Sequence, residues 1–117
     1  MSYIDGYVIP VPIANKQAFI DFAIQVDPLF KEYGATRVME CWGDAIPDGK
    51  ETDFKKAVNA KDDETVLFSW VEWPSKKFRD EAMEKAMKDP RFSPDGVSVP
   101  FDGARMIMGG FTPVVEL

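Results

Sequence analysis

The chain contains no histidine and a single cysteine, Cys41, and those two shortages remove more functions than any motif in it suggests. Without histidine, a Ser-His-Asp or Cys-His nucleophilic site cannot be assembled within the chain. Histidine-ligated zinc and haem are excluded as well. A thiolate cage for a metal would need cysteines from several subunits, so only carboxylates remain as donors, and these suit hard ions such as magnesium or calcium. No cofactor and no metal ion is expected. One cysteine also rules out an intramolecular disulfide and points away from an oxidising compartment.

Basic runs are equally scarce. No stretch of Lys or Arg exceeds two residues, and 20 acidic side chains outnumber 14 basic ones for a net charge of −6. Phosphate backbones are met by basic stripes, so no nucleic-acid partner is expected. There is no apolar run of the length a bilayer requires, and the N-terminal residues alternate polar and apolar instead of forming a charged region followed by a long apolar one. The expectation is a soluble cytoplasmic protein without a membrane partner. What the chain does have is apolar bulk: 45% hydrophobic residues, with nine Phe, three Trp and three Tyr in 117 residues. That length suits one domain, residues 1–117, with a core large enough to need no staple.

The hydrophobic periodicities divide the chain cleanly. Tyr3 to Pro12 reads as a strand, closed by Pro10 and Pro12. Asn15 stands where a helix N-cap belongs, and Phe19, Phe22, Ala23, Val26, Phe30 and Tyr33 follow at helical spacing. Pro28 should kink or split that helix near Val26-Asp27, and Gly34 should stop it. Ala35 to Asp44 is a second strand and Pro47-Asp48-Gly49 a turn. Thr52 to Ala60 carries a short helical face. Thr65 to Trp73 is a third strand ended by Pro74. Ser75 then caps a helix running to about Lys88, which Asp89-Pro90 stops. After a Pro- and Gly-rich loop, Arg105 to Val115 forms a last strand, where Gly109-Gly110 suggests a bulge or a close backbone approach. The order β-α-β-(short α)-β-α-β is that of an α+β, ferredoxin-like βαββαβ fold: a four-stranded antiparallel sheet with two helices on one face.

Such a sheet leaves its other face bare. Alternation groups Tyr3, Asp5, Tyr7 and Ile9 in the first strand, Glu40 and Trp42 in the second, and Val66, Phe68, Trp70 and Glu72 in the third. These mixed sets are too aromatic for a solvated face, so we assign them to the bare side and expect a second copy to cover it. Ile4, Val8, Leu67, Val71 and Trp73 then face the helices, as does Cys41, an inert core thiol on that reading. A single bulge would reverse the parity.

Six segments in order, Met39-Glu40-Cys41-Trp42, Pro47-Asp48-Gly49-Lys50, Phe68-Ser69-Trp70-Val71-Glu72, Pro74-Ser75-Lys76, Met87-Lys88-Asp89-Pro90-Arg91 and Pro100-Phe101-Asp102-Gly103-Ala104-Arg105-Met106-Ile107, carry a resemblance. Together, over essentially the full length, the chain resembles the YbaA-like bacterial family, a domain of unknown function. That family looks like a member of the dimeric α+β barrel group, in which two ferredoxin-like subunits press their sheets together. The resemblance therefore implies a homodimer, and it implies no substrate.

The candidate site is the polar set on the mixed face: Asp5, Glu40, Glu72 and Arg105, with Tyr7, Trp42 and Trp70 around them. Glu40 and Glu72 on neighbouring strands would form an acid–base pair if buried without partners. Alternatively they join Arg105 in an ion-pair network that fixes register alone. Trp42 and Trp70 would stack a planar ligand with Tyr7 as hydrogen-bond donor, and Arg91 or Arg105 would hold an anionic one. Two classes of function stay open: a small planar or anionic molecule bound between sheet and dimer partner, or a non-catalytic dimeric interaction module with a structural polar interior. By fold alone, the barrel group adds a cofactor-independent monooxygenase as a third.

Overall fold

A computed structural model describes all 117 residues. The first strand, β1, runs Tyr3–Pro12 and leads through one 3-10 turn into α1, Lys16–Val26. Pro28 splits the long apolar stripe as its missing N–H requires: α1 ends at Val26 and a separate α2, Pro28–Glu32, begins beyond Asp27. Gly34 closes the segment at φ +105°, a left-handed conformation that glycine adopts without steric cost. Strand β2 spans Arg37–Trp42, and the short α3, Phe54–Ala57, is capped by Asp53, whose carboxylate accepts from the Lys56 N–H at 2.7 Å. Strand β3 is Glu64–Trp73, and α4 is Lys76–Ala86, with the Ser75 hydroxyl accepting from the Phe78 N–H at 3.1 Å. Two 3-10 turns lead to β4, Ile107–Phe111. No helix is long and apolar enough to cross a membrane.

The four strands form one antiparallel sheet in the order β2-β3-β1-β4, the ferredoxin-like arrangement expected from the element order. Several local expectations change, the second strand and the short helix both being shorter than their sequence bounds. Asn15 does not cap α1 with its side chain; its amide donates instead to the Pro100 carbonyl at 3.0 Å, tying the helix start to the distant loop. The last strand is shorter than Arg105–Val115, because Arg105 lies in a 3-10 turn and pairing ends at Phe111. Gly109 and Gly110 sit in regular register with Gly6 and Asp5, so there is no bulge. The close approach is by a side chain: a Cβ on Gly110 would stand 2.1 Å from the Tyr3 hydroxyl.

Register decides which face each residue takes, and it corrects the parity read from the sequence. Ile4, Gly6 and Val8 pair with Glu72, Trp70 and Phe68, so these six side-chain positions share the bare face. Met39 and Cys41 join them through their pairing with Trp70 and Phe68. Tyr3, Asp5, Tyr7, Ile9 and Val11 point to the helices with Leu67, Ser69, Val71 and Trp73. The β3 assignment thus holds, while those of β1 and β2 invert. Both alternating sets of β1 contain large apolar residues, so alternation there carries no preference. The helix side holds two apolar clusters, one around Tyr3, Ala35, Val71, Trp73 and Ala82, the other around Ile9, Val11, Phe19, Ala23 and Leu67.

Candidate functional site

Between those two apolar clusters the sheet carries a polar row. Glu40 on β2 opposes Ser69 on β3, and Ser69 opposes Tyr7 on β1, so three neighbouring strands present polar side chains side by side beneath α1. The Ser69 hydroxyl donates to the Glu40 carboxylate. Asp27, at the break between α1 and α2, is the roof of this row. It lines the same space as Tyr7, Glu40 and Ser69. Pro28 ends α1 there, and although the Asp27 carbonyl accepts from the Phe30 N–H at 3.0 Å, its carboxylate makes no capping hydrogen bond to α2.

The row sits inside a cleft. Its outer part, about 720 Å³, opens between α1 and β2 and is walled by Phe19, Ile20, Ile24, Val38, Trp42 and Leu67. An inner part of about 290 Å³ continues beneath the helices toward Phe22, Phe30 and Phe101. Asp27 and Glu40 line both parts. A concave, mostly apolar space with a few converging polar groups is the usual form of a small-molecule site.

Burial sets the electrostatics of the row. Removal from water, followed by the nearby Glu40 charge, pushes the Asp27 carboxyl up to about 7. Glu40 is raised by burial too, with the Ser69 hydroxyl pulling it partly back. Tyr7 is pushed up to about 12, first by burial and then by the Asp5 charge. Two carboxyls whose ionisation burial disfavours, lining one space, can share a proton or take a proton-donating or cationic partner.

The other polar residues singled out in the sequence are distributed elsewhere. Asp5, 1% exposed, accepts from Arg79 of α4 through Nε at 3.0 Å and Nη2 at 2.8 Å, and from the Trp73 indole N–H at 3.0 Å. Its acceptor positions are filled. Arg105 makes a two-pronged contact with the buried Glu64, both N–O distances 2.7 Å, and also bonds Asp102 and the Asn59 carbonyl. That pairing holds the Glu64 carboxyl below its ordinary range. The expected network of Arg105 with Glu40 and Glu72 is therefore absent, and so is the Glu40–Glu72 pair, because those two carboxylates lie on opposite faces of the sheet. Trp42 and Trp70 are separated in the same way and cannot sandwich one ligand. Arg91 is held by Asp89 at 2.7 Å and Glu32 at 3.0 Å, with the Tyr33 hydroxyl donating to Asp89.

Glu72 and Trp70 belong to a second concavity, about 770 Å³, on the bare face with Ile4, Val8, Phe68, Ile107 and Phe111. Phe68 remains 45% exposed and Phe111 58%, unusual for rings this large. Glu72 opposes Arg37 across the β2–β3 pair, yet the two form no ion pair.

Sequence reasoning missed Asp27, Ser69, Arg79 and Glu64. Three of them carry a signal. Asp27 continues the Phe19-Ala23 series by one further step of four, a carboxylate on an apolar stripe. Ser69 interrupts the Leu67-Val71-Trp73 set, and Arg79 lies three residues before inward-facing Ala82. Glu64 carries none.

Fold and cleft together define a ferredoxin-like α+β domain with a helix-roofed cavity and an uncovered aromatic sheet face. A crystal structure described as a dimeric ferredoxin-like protein, from an uncultured marine organism, has the same fold, with a TM-score of 0.63 over 100% of both chains at 10% identity. The chain belongs to the family described as "Protein of unknown function (DUF1428)", which matches residues 2–103. It is 52% identical over 116 residues to the uncharacterized protein YbaA of Escherichia coli strain K12, covering 99% of each chain, and equally to that of Shigella flexneri. The YbaA-like resemblance noted in the sequence is thereby shown.

Proposed function

We propose that the chain is a homodimeric small-molecule-binding protein of the cytoplasm, joined through its bare sheet face and holding its ligand in the cleft beneath α1. The observation that carries the binding reading is the cleft itself: about 720 Å³ of mostly apolar space, with Asp27 and Glu40 reaching into it and into its inner extension. A fold that needed this row only for stability would pair it, as it pairs Asp5 with Arg79 and Glu64 with Arg105. Dimerisation is supported by the half-exposed Phe68 and Phe111 beside Trp70, and by the unpaired Arg37 and Glu72 on the same face. The dimeric description of the marine ferredoxin-like protein agrees with it. A lone cysteine supports the compartment.

Relative to the sequence reading, this moves the ligand from the space between sheet and partner to the space between sheet and helix. Native mass spectrometry of protein taken gently from its own cytoplasm tests both parts. The expected result is a dimer carrying a reproducible small mass, lost when Ile20→Trp fills the cleft mouth. A dimer that never carries a mass would favour a non-catalytic interaction module. A monomer would overturn the assembly.

A further inference from the structure

The nature of the ligand follows from how this chain treats its other sequestered acids. Asp5, Asp53, Glu64 and Asp89 have side chains no more than 8% exposed, and every one is met by an arginine or lysine within 3.7 Å. Asp27 and Glu40, half-buried in the cleft, form no ion pair at all. Three cations line the outer cleft and none pairs with Asp27 or Glu40: Arg37 is exposed and stands in register with Glu72 of the bare face, and the two lysines are turned to other work at the rim. Lys31 donates to the Thr36 carbonyl at 2.8 Å, and Lys16 lies over the Trp42 ring at 5.7 Å. Both are exposed, so their charge is screened by solvent, whereas an anion placed beside Asp27 and Glu40 would meet two acids in a poorly solvated space. The walls supply what an organic cation needs besides a counter-charge. Phe19, Phe22, Phe30 and Phe101 surround the inner space, and aromatic faces attract a desolvated cation.

Resting on the small-molecule reading above, we propose that the cleft takes a hydrophobic ammonium compound, its cationic head between Asp27 and Glu40 and its apolar body against Phe19, Ile20, Ile24 and Trp42. The Tyr7 hydroxyl, which has no hydrogen-bond partner in the chain, adds a third oxygen facing the same space. The missing positive charge in a row of acids is thus the ligand's, and specificity comes from that charge together with the size of the apolar wall. An anionic ligand, one of the classes suggested by the sequence, has no free buried cation to hold it.

A matched series separates this inference from the reading it rests on. Cyclohexylmethylamine, cyclohexylmethanol and cyclohexanecarboxylate share a ring and differ in charge, and binding to the full-length protein is followed through tryptophan fluorescence and calorimetry. The amine should bind at least tenfold more tightly than the alcohol, and the carboxylate should bind weakest. Glu40→Gln and Asp27→Asn should each weaken the amine tenfold or more while leaving the alcohol within about twofold, a pattern that loss of folding cannot produce. Alcohol binding equal to the amine, or a preference for the carboxylate, would overturn the cationic assignment and leave the cleft standing. Failure of all three probes, with Ile20→Trp indistinguishable from the parent, would remove the cleft reading and this inference with it.

Discussion

Replacing Asp5 by Asn tests whether the acid at the centre of the sheet is a structural counter-ion. The carboxylate is 1% exposed and receives two Arg79 nitrogens and the Trp73 indole. Asparagine keeps the shape and one acceptor oxygen for the indole, but it withdraws the negative charge from a guanidinium whose side chain is only 23% exposed. Breaking a buried pair from one side costs about 3–5 kcal/mol, because the remaining charge is left uncompensated. Arg79 sits at the rim and can regain some water, which places the cost near the lower end, about 3 kcal/mol. In a domain whose whole stability is about 5–15 kcal/mol, that is a large fraction. The corresponding fall in Tm is about 10–15 °C for a chain of this size. Chemical denaturation followed by tryptophan fluorescence, at one fixed protomer concentration, measures it. A cycle with Arg79→Met should return a coupling of about 2 kcal/mol, and the doubly apolar Asp5→Leu/Arg79→Met protein should recover much of the loss. A cost below about 1 kcal/mol for Asp5→Asn, or strictly additive single variants, would refute the reasoning and return Asp5 to the list of ligand-binding candidates.

Three further outcomes follow from other parts of the molecule. Asp27 has its folded pKa raised from 3.8 to about 7, so the native state holds the proton more tightly than the unfolded chain does; stability should fall as pH rises between those values and level off above them, and Asp27→Asn should flatten the profile in denaturation curves taken on either side of the window. Gly110→Ala would place a methyl 2.1 Å from the hydroxyl of the buried Tyr3, and should cost about 1–3 kcal/mol in the same assay, with Tyr3→Phe relieving part of it. Phe68→Glu alters a side chain that is 45% exposed in the subunit, so the fold should persist by circular dichroism while light scattering reports monomer; an unchanged dimer would place the interface elsewhere.

The polar interior was the hardest feature to read from the sequence, and its residues explain why. Glu40, Tyr7 and Trp42 were singled out there, yet on the wrong side of the sheet and with Glu72 and Trp70 as companions. Each face of β1 offers large apolar side chains, Tyr3, Tyr7 and Ile9 against Ile4 and Val8, so period-two alternation cannot rank them. Cys41 followed the same inversion, to the bare face opposite Phe68. β3 was legible because only one of its sets, Leu67-Ser69-Val71-Trp73, ends in residues that a helix must cover. Arg105 was misplaced for another reason: its partner Glu64 is 41 residues away and carries no local signature.

The sequence by itself determined the elements and their order. Strand β1 matched to the residue, Pro28 split the first helix where its absent N–H demanded, Gly34 and Ser75 bounded helices through their own backbone and side-chain chemistry, and the βαββαβ order specified the antiparallel sheet. All of these are decided within a few residues of chain, by steric and hydrogen-bonding rules that operate locally. Only the tertiary structure decided the faces. Asp5 turns toward the helices because Arg79, 74 residues further on, supplies the charge that makes its burial tolerable. Asp27 and Glu40 line one space because α1 lies across the sheet. Those choices rest on desolvation and pairing between distant groups, and alternation along one strand does not record them.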